Sequence, residues 1–125
     1  FMQFSIPPWR FGKECNEICL RYVKLHRDLS SLHHSLLRTK NPLLRPVWWL
    51  APANPEALHC EDEYLVGDDL LVAPVIKKGS VARDIWLPPG QWKPMVGADR
   101  VYHGPKWLSD YPAPLETLPL FARVN

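Results

Sequence analysis

The chain has 125 residues, of which 46% are apolar and 22% are charged, as in an ordinary folded protein, and this excludes a disordered chain. The net charge is +2 and Lys and Arg are spread along the sequence, which argues against nucleic acid as a partner. No apolar run approaches the roughly 20 residues of a membrane-spanning helix, so no membrane segment is predicted. We expect one domain, or a piece of a larger one.

The first part of the chain predicts one long helix between two extended segments. Residues 1–8 are mainly apolar and end in two prolines, and Phe4 and Ile6 alternate with Gln3 and Ser5, which is typical of a short buried strand or loop entering a helix. Residues 13–37 predict an amphipathic helix, because apolar residues recur there at spacings of four and three. Asn41-Pro42 ends this helix, and residues 45–50 predict a short strand.

The second part of the chain predicts β-structure throughout. Residues 61–66 and 70–76 are rich in β-formers and flank Gly67-Asp68-Asp69, which predicts a tight hairpin. Pro88-Pro89-Gly90 predicts a turn. Further strands are predicted at residues 83–87, 91–95, 100–103 and 115–123. Short strands separated by Gly and Pro turns favour an antiparallel sandwich.

The acidic triplet Glu61-Asp62-Glu63 is the one carboxylate cluster that invites a catalytic interpretation. Paired carboxylates serve as acid and base in glycoside hydrolysis. The triplet stands at the start of a strand, where nothing in the sequence predicts its removal from water. A solvated strand end is therefore favoured over a catalytic pair.

Cysteine and histidine residues on the long helix raise the alternative of a zinc site. Cys15 and Cys19 are four residues apart and share a helix face, with His26 or His33 as conceivable further ligands. There is no Cys-x-x-Cys pair, and His26 is two turns away, so structural thiols are favoured and no metal is predicted. The adjacent pair His33-His34 cannot present both rings to one ion from a helix face.

Six tryptophans in a chain of this length permit two interpretations. Burial in a core is favoured, since Trp contributes a large apolar surface. The alternative is a non-catalytic β-sandwich module that binds carbohydrate or protein through Trp86, Trp92 and Trp107. The direction in which these three side chains point separates the two interpretations.

Three segments, taken together, resemble glycoside hydrolase family 31. They are Pro-Leu-Leu-Arg-Pro-Val-Trp-Trp-Leu-Ala-Pro at 42–52, Asp-Glu-Tyr-Leu-Val-Gly-Asp-Asp-Leu-Leu-Val-Ala-Pro-Val at 62–75, and Arg-Asp-Ile-Trp-Leu-Pro-Pro-Gly-Gln-Trp at 83–92. The opening segment, residues 2–9, is similar to the animal, myogenesis-regulating branch of that family, which is α-galactosidase-like.

The resemblance implies a (β/α)8 barrel followed by a β-sandwich. Residues 1–55 would be the C-terminal end of the barrel, with one long helix and its final strand, and residues 56–125 the proximal sandwich domain. The expected fold class is therefore an α+β fragment of a larger α-glycosidase. The family hydrolyses α-O-glycosidic bonds without a cofactor, in an endomembrane (ER-type) lumen for this branch.

The resemblance implies that the catalytic residues lie elsewhere. The family's nucleophile and acid/base, both Asp, precede every residue of this chain, so we predict no catalytic residue here and no activity of the chain alone. An α-glycoside would be a partner only in the full-length parent. Gln3 and Ser5 stand where many members have Arg and a sugar-contacting His, which predicts that they bind substrate and favour an α-galactoside. The alternative is that both are merely residues at the end of a strand.

Overall fold

The computed structural model of the chain describes residues 5–97 and 99–124. Internal contacts divide the chain into two units, Phe1–Asn41 and Pro42–Asn125. The predicted boundary between a barrel end at 1–55 and a sandwich at 56–125 stays a prediction. Among the described residues, every helix is too short or too polar to cross a membrane.

The first unit is helical. A 3-10 turn at Pro8–Phe11 precedes helix α1, Lys13–Asp28, and helix α2, Ser30–Leu37. The single helix predicted over 13–37 is therefore interrupted at Leu29, whose ψ angle of 3° departs from helical geometry. Two serines, Ser30 and Ser31, follow the break, and Gly/Ser pairs are a recognised cause of helix kinks.

The second unit is built on a six-stranded antiparallel sheet with the strand order β1-β2-β3-β6-β4-β5. Its strands are β1 Leu44–Pro46, β2 Tyr64–Val66, β3 Leu70–Val72, β4 Ala82–Pro94, β5 Tyr102–Pro112 and β6 Leu120–Val124. A 3-10 turn, Val47–Leu50, and a short helix α3, Pro55–Leu58, connect β1 to β2. The predicted α+β class and antiparallel β-structure are confirmed, and the barrel end stays a prediction.

The predicted hairpin is confirmed. Strands β2 and β3 pair with Tyr64 opposite Val72 and Val66 opposite Leu70. Gly67 begins the turn at φ 63°, a left-handed conformation that suits glycine. The hairpin contributes Leu65 and Leu71 to the core, where both are fully buried.

Several predicted strand boundaries in the second unit are wrong, among them the strand predicted over 115–123, which begins only at Leu120. The strand predicted over 45–50 ends at Pro46, because the following residues form the 3-10 turn. The turn predicted at Pro88-Pro89-Gly90 lies inside the continuous strand β4. The ladder shifts register between Leu87 and Gly90, so these prolines occupy an irregular position in the strand pairing.

The opposite strand adapts to this irregularity through a glycine. Gly104 of β5 pairs with Gly90, and a Cβ atom on Gly104 would lie 1.9 Å from the Pro88 carbonyl oxygen. Only glycine permits this approach of the two backbones. Strand β5 is also much longer than the predicted strand at 100–103.

Candidate functional site

A buried arginine links two of the family-like segments, 42–52 and 62–75. Arg45 of β1 is 3% exposed and pairs through Nη1 with Oδ1 of Asp68 in the β2–β3 turn. Its Nε donates a 2.9 Å hydrogen bond to the Pro42 carbonyl, and the guanidinium lies 5.4 Å from the centre of the Trp49 ring. The arginine therefore fixes the hairpin turn to the preceding strand.

A second arginine forms the centre of a larger network. Arg83 of β4 places Nη2 2.9 Å from Oδ1 of Asp62 and 3.1 Å from Oε1 of Glu63. Its Nη1 donates to the carbonyl of Asp62 at 3.1 Å and to that of Pro74. The backbone N–H of Trp86 donates to the same Glu63 oxygen at 2.9 Å. The network ties β4 to the segments on both sides of the hairpin.

Glu63 is the buried acid of this network. It is only 5% exposed, so the predicted solvated strand end is wrong for this residue. Burial raises the pKa of Glu63 to about 7, although the Trp86 N–H and the Arg83 charge act in the opposite direction. Its Oε2 atom is buried without a hydrogen-bond partner among the described residues, which agrees with a carboxyl that is partly protonated near neutral pH.

Cys60 completes a group of three possible metal ligands with Asp62 and Glu63. Their ligand atoms lie within 4.8 Å of one another. Burial, with the negative charges of Glu63 and Asp62, raises the pKa of the Cys60 thiol to about 12, so it is a thiol and not a thiolate. Arg83 already pairs with both carboxylates, and a metal cation would have to compete with this fixed positive charge. We assign no metal to this group.

The two carboxylates of the network face different surroundings. Asp62, with Arg83, Asp84 and Asp110, lines an open cleft of about 350 Å³. The Glu63 side chain has no exposed surface and does not line this cleft. A sugar in the cleft would therefore reach Asp62 and not Glu63.

Of the three tryptophans in the alternative binding surface, two lie in the core. Trp86 and Trp92 are fully buried, and Trp107 is 44% exposed. Glu56 at the start of α3 accepts from both indole N–H groups nearby, that of Trp86 at 3.2 Å and that of Trp107 at 3.1 Å. Two of the three side chains of the alternative binding surface are thus unavailable to a ligand, and the binding-module interpretation is not favoured.

The role of the predicted substrate residues stays a prediction. Gln3 lies outside the described residues, and Ser5 is exposed in a bend of the first unit. The sequence interpretation missed the roles of Arg45, Arg83 and Glu56. A charged residue inside an otherwise apolar or proline-rich segment was the available signal, since such residues are buried only when they are paired.

The fold and the site define a β-sheet domain whose buried charges hold its segments together. The family model described as the glycosyl hydrolase family 31 C-terminal domain matches residues 40–125. The chain is 37% identical to the mouse myogenesis-regulating glycosidase over 96% of its own length and 17% of that protein. It is 36% identical to the SITS-binding protein of Tetronarce californica, covering 98% of the chain and 18% of that protein.

Solved structures that resemble this chain also include enzymes of family 31. A family 31 α-xylosidase from a soil metagenome, complexed with xylose, superimposes with a TM-score of 0.86 at 31% identity, covering 96% of this chain and 18% of that one. A family 31 dextranase of Flavobacterium johnsoniae gives a TM-score of 0.83 at 31% identity, with coverages of 95% and 15%. The chain belongs to glycosyl hydrolase family 31 and spans less than a fifth of these relatives. The predicted family is confirmed.

Proposed function

We propose that this chain is the C-terminal part of a retaining α-glycosidase, in which it supports a catalytic barrel and performs no bond cleavage itself. The match of residues 40–125 to the C-terminal domain of the family supports this assignment. The parent reaction is hydrolysis of an α-O-glycosidic bond through two carboxylates that are supplied by other parts of the enzyme.

The observation that supports the proposal most is that charged residues of the three family-like segments form ion pairs with one another. Arg45 and Asp68 fix the hairpin turn, and Arg83 holds Asp62 and Glu63. Each of these groups is engaged by a partner within the sheet unit. The residues that mark the family in this chain therefore stabilise its structure.

The pair Asp62 and Glu63 is the nearest approach to a catalytic pair in the described structure. Their oxygens lie within 4.8 Å of each other, and the pKa of Glu63 is raised to about 7, features that suit a retaining acid and nucleophile. A catalytic pair must reach one sugar from both sides of the scissile bond. The closed environment of Glu63 prevents this, so the network is structural.

We further propose that Gln3 and Ser5 contact the sugar in the complete enzyme and favour an α-galactoside. The presence of Gln3 and Ser5 where many family members have an Arg and a sugar-contacting His motivates this choice. A site that hydrogen-bonds a particular hydroxyl group discriminates strongly against a sugar that presents it differently.

One set of assays tests both the non-catalytic role of the chain and the assignment of Gln3 and Ser5 to the sugar. The purified chain and its Glu63→Gln variant are assayed with aryl α-galactosides and α-glucosides, and neither is expected to release the aryl group. The chain is also grafted in place of the matching segment of a family 31 α-glucosidase, with and without Ser5→His. The graft is expected to hydrolyse the α-galactoside better than its Ser5→His variant by about tenfold or more.

The results of these assays can contradict the structural role and the substrate assignment independently of each other. Turnover by the isolated chain that Glu63→Gln abolishes would overturn the structural role of the network. An active graft with the same sugar preference before and after Ser5→His would overturn the substrate assignment alone. A graft carrying the enzyme's own segment serves as the control for assembly.

A further inference from the structure

Two histidines of the helical unit meet across the helix break. The ring centres of His26, in α1, and His33, in α2, are 5.0 Å apart. Seven residues of continuous helix correspond to about 10.5 Å of rise, so nearness of these rings does not follow from the sequence spacing alone. The ring planes are inclined at 48°, which is not a stacked arrangement.

The separation of the rings suits two ligands of one ion. An imidazole nitrogen binds zinc at about 2.0–2.1 Å, and the ring centre lies a little over ~1 Å beyond it. Two such rings on a tetrahedral ion have centres roughly 5 Å apart. Imidazole is a preferred ligand of zinc, copper and nickel.

We propose that His26 and His33 form a two-histidine site for a divalent transition-metal ion on the helical unit. His26 is exposed and His33 is half-buried, so the ion would keep positions open to water. Arg27 and Asp28, which follow His26 in the sequence, form an ion pair with each other at 3.2 Å. Because this pair engages the Asp28 carboxylate, the two imidazole rings are the groups proposed to bind the metal. This site differs from the Cys60 group, whose carboxylates already pair with the Arg83 guanidinium.

The chain offers matched controls for this proposal. His34 is the neighbour of His33, is exposed, and points away from it by about 100° around the helix. His59 lies in the sheet unit, where its Nδ1 is 2.7 Å from the Pro55 carbonyl. Cys15 and Cys19 supply the alternative ligands that the sequence suggested.

The test is calorimetric titration of the 125-residue chain with Ni²⁺ alone, chosen because nickel favours imidazole. One ion per chain is expected. His26→Gln and His33→Gln should each weaken binding by about tenfold or more, since removal of even a supporting partner of a ligand costs that much. His34→Gln, His59→Gln and the Cys15→Ser/Cys19→Ser double variant should bind as the unaltered chain does.

Paramagnetic broadening of histidine ring signals by Ni²⁺ locates the ion independently and should affect His26 and His33 first. Circular dichroism verifies that each variant keeps its helices. Absence of Ni²⁺ binding, equal loss with His34→Gln, or loss with the cysteine variant alone would overturn the proposal. Absence of Ni²⁺ binding would mean that His26 and His33 form a ring–ring contact and nothing more. Loss of binding with the cysteine variant alone would assign the ion to the thiols.

Discussion

At the scale of single residues, Glu63 shows how a buried acid can serve a structural purpose. Its ordinary pKa of 4.5 is raised to about 7 because burial disfavours the charged form more than the nearby Arg83 favours it. The folded state therefore binds a proton more tightly than the unfolded chain does. The stabilisation that results is complete below pH ~4.5 and is lost as the pH rises through about 7.

We expect Glu63→Gln to remove this pH dependence. The amide keeps the shape of the side chain and is neutral at every pH. The free energy of unfolding of the unaltered chain should fall by up to roughly 3 kcal/mol between pH 4.5 and 8, and that of the variant should change much less. Urea unfolding at a series of pH values measures both.

Glu61→Gln is the matched control, since Glu61 is an exposed acid two residues away. It should leave the pH profile unchanged. A Glu63→Gln profile as steep as that of the unaltered chain would show that another group is responsible.

At the scale of elements, the β2–β3 hairpin depends on a residue outside it. The guanidinium of Arg45 is buried, and its ionic partner is Asp68 in the turn. Asp68 itself is half-exposed, so water screens part of the attraction. Removal of the partner leaves a buried cation whose remaining contacts among the described residues are the Pro42 carbonyl and the Trp49 ring.

Asp68→Ala should lower the free energy of unfolding by about 1–3 kcal/mol, because it leaves the buried Arg45 charge incompletely compensated. Asp69→Ala, at the adjacent exposed position of the same turn, is expected to have a much smaller effect. Urea unfolding of the three proteins at one pH gives the comparison. Equal effects of the two substitutions would indicate that turn propensity, and not the ion pair, accounts for the loss.

The elements also show what a sequence can and cannot specify. The hairpin at Gly67 was predictable because its turn and its flanking β-formers are local signals. Burial of Glu63 was not, because it depends on Arg83, twenty residues later in the chain. The continuity of β4 through Pro88 depends likewise on Gly104 of the opposite strand. Predictions failed where a distant residue determines the conformation.

At the scale of the whole molecule, the two units differ in how they are stabilised. The sheet unit has a core that includes Trp86, Trp92 and Phe121, all fully buried. Helices α1 and α2 contain no buried residue. Isolated helices shorter than about 12–15 residues are marginal in water, so α2 in particular has little stability of its own.

Hydrogen exchange of the complete chain should therefore show two classes of amide. Those of α1 and α2 are expected to exchange about tenfold or more faster than the amides of β4 at Ile85, Trp86 and Leu87. Mass spectrometry of peptides from the exchanged protein measures the difference. Equal protection in both units would mean that the helices are stabilised by contacts equivalent to those of the sheet core.

The order of the strands leaves β1 and β5 at the two edges of the sheet. Edge β1 is only three residues long and ends in Pro46, and edge β5 carries Pro105, Lys106 and Pro112. Short strands, prolines and lysine at an edge prevent a second chain from adding its own strand there. The same features that interrupt the strand signal in the sequence thus protect the folded protein against intermolecular sheet growth, and hence against aggregation when it is concentrated.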